Sequence, residues 1–300
     1  MVVSIAIPIF VTMKVLYYLI LLPISLLPVK AHRALAAVLS PLLQHVFRYR
    51  RGLIQKNMAI CFPEKRAQEL KKYESDFYNN LSMIILESIA AFSLSKKTAQ
   101  ERMAVLNPEV INHFFDQGKD VIITGGHYAN WESATLSANL IKHDLYALYK
   151  PMKNKFMESK VKTSRCKFGV KMISVKEYRK YLEEEHKTPR AFLFGIDQSP
   201  RKSSGEWIDF LGRDTMVFTG PERLSKEYDL PVISGILKRK SKGQYTIEYK
   251  LLFEHPRETS DMEITKVTMK EVEDLVQENP GDWLWSHNRW KHTKSDDADA

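Results

Sequence analysis

The chain has 300 residues, 44% of them hydrophobic, with 45 Lys and Arg against 36 Asp and Glu. That length supports one sizeable core, and two cysteines exclude a disulfide framework. The net charge of +9 favours an anionic partner: nucleic acid, a membrane surface or a phosphorylated substrate.

In chain order, residues 1–29 carry one charge, Lys14. The uncharged run from Val15 to Val29 is 15 residues long and contains Pro23 and Pro28. It falls short of the roughly 20 residues that span a bilayer. Counted from Val2 it is long enough, provided Lys14 snorkels. No small-residue cleavage site follows a charged start, so a removable signal peptide is not expected. Residues 1–30 are therefore expected to form a membrane anchor helix, spanning or deeply interfacial, with a buried core helix as the alternative. Lys30, Arg33, Arg48, Arg50, Arg51 and Lys56 follow it closely, and the positive-inside tendency puts the main body on the cytoplasmic face.

Residues 31–110 read as a helical N-terminal region, with helices expected over 31–47 and 64–93. The second carries Leu70, Tyr73, Phe77, Leu81, Ile84, Ile85 and Ile89 at spacings near three and four. Over 111–293 strand-like runs alternate with helical ones. Strands are expected at 121–124, 145–149, 171–175, 191–196, 231–237 and 245–253, and helices at 129–142, 155–168, 176–184, 220–229 and 264–278. Such alternation predicts an α/β core with a mostly parallel central sheet flanked by helices. The segment from Gln198 to Glu206 reads as a loop near the mouth of a site, and residues 294–300 as a disordered tail.

The densest signal is Gly125-Gly126-His127-Tyr128-Ala129-Asn130-Trp131-Glu132, directly after Val121-Ile122-Ile123-Thr124. A β-branched run ending in two glycines predicts a buried strand that stops in a tight turn. On one continuous helix His127 and Glu132 would diverge by about 140°. With His127 just outside the helix, its ring can fold back onto the Glu132 carboxylate. Such a carboxylate fixes the tautomer and leaves the second ring nitrogen free to take a proton. The competing reading is a strand-end histidine capping a helix. Catalytic groups gather at the carboxyl ends of strands in such sheets, so Asp197, closing the run Phe192 to Ile196, is an expected neighbour of His127. A helix cap is the alternative for Asp197, and a solvated basic helix face is the alternative for Arg165. Near the C-terminus, Trp283, Trp285 and Trp290 interleave with His287, Arg289, Lys291 and His292. That composition suits a membrane interface with lipid phosphates, single-stranded nucleic acid, or plain core packing. Phosphate-loop, dinucleotide and HExxH signatures are absent, as is a G-x-S-x-G elbow.

The octet and its flanks resemble the lipid A late acyltransferase family, a branch of the glycerolipid acyltransferases. The resemblance runs through Arg50-Arg51, Asn57, Cys61-Phe62-Pro63-Glu64 and Phe77-Tyr78-Asn79-Asn80-Leu81. After the octet it continues with Tyr149-Lys150-Pro151, Asn154, Ile196-Asp197-Gln198, Phe210-Leu211-Gly212, Thr219-Gly220 and Trp283 to Lys291. It covers about residues 15–293. Tyr128-Ala129 stands where the family commonly has Phe-Gly, and Asn288 where a second basic residue is common.

The resemblance implies a glycerolipid-acyltransferase-like fold and an enzyme of the inner membrane that needs no cofactor or metal. It would move a fatty acyl chain from an acyl carrier protein thioester, or acyl-CoA, to a hydroxyl of a lipid A precursor. His127 would be the general base, oriented by Glu132. Arg165, Asp197, Gln198, Asn130, Tyr149 and Arg289 would bind substrate. A lysophospholipid or aminolipid acceptor is the alternative within the same chemistry. A non-catalytic lipid-binding or nucleic-acid-binding protein is the alternative outside it, and it would have no use for an oriented base.

Overall fold

A computed structural model describes residues 9–241 and 243–294. Residues 1–8 of the expected anchor and, Lys294 apart, the expected tail lie outside the described residues. The first helix, α1 (Ile9–Leu16), passes through a π-helical turn at Tyr17–Leu21 into α2 (Leu22–Ser25). Pro28 then starts α3 (Val29–Pro41), which closes in a second π-helical turn, Leu42–Val46. The chain bends by 118° between Met13–Ser25 and Val29–Val46. Among the described residues no single helix is long and apolar enough to cross a membrane. The expected anchor is therefore not confirmed as a single span: its helix ends at the bend, and the second arm is the helix expected over 31–47.

Next come α4 (Arg51–Cys61), the long α5 (Ala67–Ala90) and α6 (Lys96–Arg102). The helical reading of 31–110 meets a strand at its end, because β1 (Met103–Val105) pairs with the far edge of the sheet. Then follow α7 (Pro108–Asp116), β2 (Val121–Gly125), β3 (Asp144–Tyr149), α8 (Lys155–Cys166), β4 (Lys171–Ser174), α9 (Tyr178–Glu183) and β5 (Arg190–Gly195). The chain closes with β6 (Gly205–Asp209), β7 (Asp214–Phe218), α10 (Gly220–Tyr228), β8 (Val232–Ser241), β9 (Gln244–Phe253) and α11 (Glu263–Glu278).

Seven strands form one sheet in the order β1-β9-β8-β2-β5-β3-β4, parallel throughout except for the β8–β9 hairpin. Successive side chains of a strand point to opposite faces. On β2, Ile122 packs with Leu224 and Leu230 on one side, while Val121 and Ile123 join the main core. That core also takes Ile54, Met58, Phe77 and Tyr78 from the N-terminal helices.

Two segments depart from the sequence reading. The α-helix expected over 129–142 is a 3₁₀ helix, Trp131–Leu140. Its hydroxyls supply the reason: Ser133, Thr135 and Ser137 each donate to the carbonyl three residues back, at 2.6, 2.9 and 2.7 Å. Such bonds favour the tighter turn over the i−4 ladder. The second departure is the β6–β7 hairpin, whose first strand takes over the end of the expected loop. Its turn has Leu211 at φ 54° and Gly212 at φ 70°, the paired left-handed geometry that suits a two-residue hairpin. Leu-Gly lacks the usual Asn-Gly signal for that turn.

Candidate active site

Strands β2 and β5 are parallel neighbours with Gly125 opposite Gly195. His127 and Asp197 thus each sit two residues past matched strand ends, and the register alone brings them together. The contact is close: Nδ1 of His127 lies 2.5 Å from Oδ1 of Asp197. Two glycines make room for it. A Cβ on Gly195 would stand 2.9 Å from His127 Cε1, and one on Gly126 would meet Val272 at 2.9 Å and Asp197 Oδ2 at 3.4 Å.

Asp197 is 2% exposed and accepts two further hydrogen bonds at Oδ2, from the His127 backbone N–H (2.7 Å) and from Trp283 Nε1–H (2.8 Å). Burial alone would push its carboxyl up. The His127 charge and these donors outweigh burial and hold it at about 2. For His127, burial pulls the imidazole down, but the Asp197 charge and hydrogen bond more than offset it, and Glu132 adds to them. The net result is a histidine raised above its ordinary 6.5. Its other nitrogen, Nε2, lies 3.1 Å from the Gln198 amide nitrogen.

The carboxylate expected on the ring is thus Asp197 and not Glu132. Ala129 adopts a left-handed φ of 50°, and its N–H donates to the Asp282 carbonyl at 2.9 Å. Leu284 N–H donates to the His127 carbonyl at 3.1 Å, so residues 127–129 are laid along 282–284 like an extra strand. The tight helix then starts at Trp131 and carries Glu132 towards α8, where Arg165 donates to it twice, Nε at 2.8 Å and Nη2 at 2.6 Å. A two-point fork of this kind fixes the plane of the guanidinium.

Glu132, Arg165 and Asn130 line a cavity of about 490 Å³ whose other walls are mostly apolar, including Leu81, Ile84, Ile85, Ile89, Leu136 and Phe168. Trp131 belongs to the same wall, and its ring meets the His127 ring edge-on with centroids 5.3 Å apart. His127 thus borders the cavity across one indole. Asn130 is buried and donates to Glu87 at 2.5 Å. Tyr149, at the end of β3, donates to Glu158 at 3.2 Å and is absent from the cavity wall. Among the described residues no three His, Cys, Asp or Glu side chains cluster as a metal ion would require.

The C-terminal aromatic block decides between open readings for two tryptophans and corrects the expectation for Arg289. Trp283 and Trp285 are almost wholly buried, so core packing accounts for them better than a membrane face. Arg289, expected to contact substrate, is 2% exposed and donates to the Met216 carbonyl at 2.6 Å. Burial pulls its guanidinium down to about 10. What the block does is brace the Asp197 loop: Trp283 holds Asp197, and His287 Nε2 accepts the Ser199 N–H at 3.0 Å. Burial pushes His287 down to about 4, so at neutral pH it carries the lone pair this contact needs. Sequence reading missed Trp283 and His287 as supports of Asp197, because their partners lie more than 80 residues away.

A family model described as bacterial lipid A biosynthesis acyltransferase matches residues 4–292. The chain belongs to that family. Over 246 residues it is 23% identical to a lipid A biosynthesis palmitoleoyltransferase of Escherichia coli (strain K12), covering 81% of this chain and 79% of the relative. It is 21% identical over 270 residues to a lipid A biosynthesis lauroyltransferase of the same organism, covering 88% and 87%. A lipid A biosynthesis acyltransferase of Shigella flexneri matches at 23% over 246 residues. The protein is therefore an acyltransferase of lipid A biosynthesis.

Proposed function

We propose that this acyltransferase moves a fatty acyl chain from a thioester donor to a hydroxyl of a lipid A precursor, with His127 as general base and Asp197 as the group that orients it. The observation that carries the reading is the 2.5 Å contact between His127 Nδ1 and a buried carboxylate, beside an apolar cavity. Nε2 takes the acceptor's hydroxyl proton as the oxygen attacks the thioester carbonyl. The imidazolium then returns that proton to the departing thiolate as the C–S bond breaks. An activated thioester requires no further activation, so orientation, a base and a stabilised oxyanion suffice.

Arg165, held in plane by Glu132, lines the cavity and suits a carbonyl or phosphate oxygen of substrate. Glu132→Gln is expected to cost about ten- to a hundredfold in kcat/KM, the weight of a charge-assisted hydrogen bond. It should shift the pH–rate profile less than any change at Asp197, because Glu132 touches Arg165 and not the ring. An equal shift in both variants would reinstate Glu132 as the partner of the base. The cavity would take the acyl chain. An acidic carrier protein as donor would fit the lysines at 153, 155, 160 and 162.

Membrane docking is supported by an inverted helix. Against the protein α3 and its π-helical extension bury His32, Ala36, Ser40 and Gln44, spaced by four. To the outside they turn Leu35, Val38, Leu42, Val46 and Phe47. Upstream, Leu19 and Leu26 are 70% and 69% exposed. A helix that hides polar residues and shows apolar ones is built to meet hydrocarbon, and the exposed Lys30, Arg33 and Arg48 beside it suit anionic headgroups. Replacing Leu19 and Leu26 with Gln removes two side chains worth about 2 kcal/mol each on burial. Partition onto vesicles with anionic lipid, read by co-sedimentation, is expected to fall at least about tenfold. Full retention would move the docking face elsewhere.

The assignment as a whole is tested with purified enzyme, an acyl carrier protein thioester and a panel of lipid acceptors, reading product masses. A lipid A precursor one acyl group heavier is the expected product. Acylation of a lysophospholipid alone would overturn the acceptor.

A further inference from the structure

Because Nδ1–H donates to the Asp197 carboxylate, neutral His127 offers only a lone pair at Nε2. The group facing that lone pair is the side chain of Gln198, 3.1 Å away, so it is the amide N–H that donates. The placement is built in. Gln198 stands between two pinned neighbours: Asp197, with its three donors, and Ser199, whose N–H binds His287 and whose hydroxyl donates to the Arg289 carbonyl. Its own side chain is half-buried.

An acceptor hydroxyl must donate to the same lone pair before it can give up its proton. One lone pair cannot serve both. We propose that Gln198 caps the general base: its amide closes His127 Nε2 until a bound acceptor hydroxyl displaces it, so that water is not activated against the acyl donor in the meantime. This rests on the reading of His127 as the base. A tethered amide competes well with free water, whereas an acceptor held by its own lipid contacts meets it on equal, intramolecular terms. The wasteful reaction that the cap suppresses is simple. His127 would take a proton from water, the water oxygen would bond to the thioester carbonyl carbon, and the C–S bond would break. The thiolate would recover the proton from Nε2, leaving a free fatty acid and a thiol. Once the imidazole is protonated, the same amide can turn over and accept from Nε2–H through its oxygen, so the cap also fits the other charge state.

The test uses Gln198→Ala and Gln198→Met, the second keeping the side-chain volume without the amide, each checked for folding by thermal melting. Two rates are measured without lipid acceptor. One is thiol release from dodecanoyl-coenzyme A; the other is modification of His127 by diethyl pyrocarbonate, read on its peptide by mass. Both are expected to rise about five- to tenfold, the weight of one neutral hydrogen bond. Parental rates of both in folded variants would overturn the cap. His127→Ala separates the two ideas. If that variant transfers and hydrolyses normally, the base assignment is wrong; if it is inactive while the Gln198 variants behave like the parent, only the cap is wrong.

Discussion

His127→Ala is expected to lower acyl transfer by at least about a hundredfold while leaving vesicle binding intact. The His127 ring meets Trp131 of the cavity wall edge-on, and it lies against Gly195 instead of filling a core. Its removal therefore opens a small space at the sheet end without stripping the packing of β2 and β5. Some rate should survive, because apposition of donor and acceptor persists when a base is lost. The measurement is a single-turnover rate with the thioester donor and lipid acceptor, alongside vesicle co-sedimentation. Turnover equal to the parent would remove general-base catalysis at this position. Loss of both activity and vesicle binding would mean that the substitution disturbs the fold and not the chemistry.

The position of that ring was legible in the sequence because it depends on local chemistry. A β-branched run, two glycines and a histidine define a strand end, and the alternation of strands and helices defines a sheet with its carboxyl ends together. From those two facts alone Asp197 is an expected neighbour of His127, and the register of Gly125 against Gly195 brings the pair into contact. What the sequence does not display is which of two carboxylates wins the ring. Glu132 is close in sequence, but a left-handed Ala129 and a hydroxyl-rich 3₁₀ helix turn it towards Arg165. Both features arise from particular φ angles and from side chains bonding to backbone three residues away, which hydrophobic periodicity does not register. The C-terminal tryptophans mislead for a related reason. Interleaved aromatic and basic residues have the composition of a membrane interface, yet Trp283 spends its N–H on Asp197, and Arg289 is sealed inside against Met216. The outward face of α3 shows the opposite. There the signal is a mainly polar stripe, His32, Ser40 and Gln44 with Ala36 between them, and only burial reveals that it faces inward.

Asp197→Asn is expected to be as damaging as loss of the ring itself, about 10³- to 10⁴-fold in rate, the scale seen when an orienting carboxylate becomes an amide elsewhere. The substitution changes almost no volume and still accepts from the His127 N–H and from Trp283. What it changes is the proton. An amide N–H facing Nδ1 makes that nitrogen the acceptor and moves the ring proton to Nε2, where the acceptor hydroxyl needs a lone pair. It also removes the charge that raises His127. In the parent the base must be unprotonated, and its pKa lies above the ordinary 6.5. The rate should therefore fall as pH drops through a value above 6.5. In the variant burial is opposed only by the weaker Glu132 charge, so the residual activity should fall only at lower pH, with the limb displaced towards acid. Profiles of kcat/KM against pH for both proteins decide the matter. A merely structural role for Asp197 would lower the melting temperature and leave the limb where it stands in the parent, and that outcome would break the link between the buried carboxylate and the base.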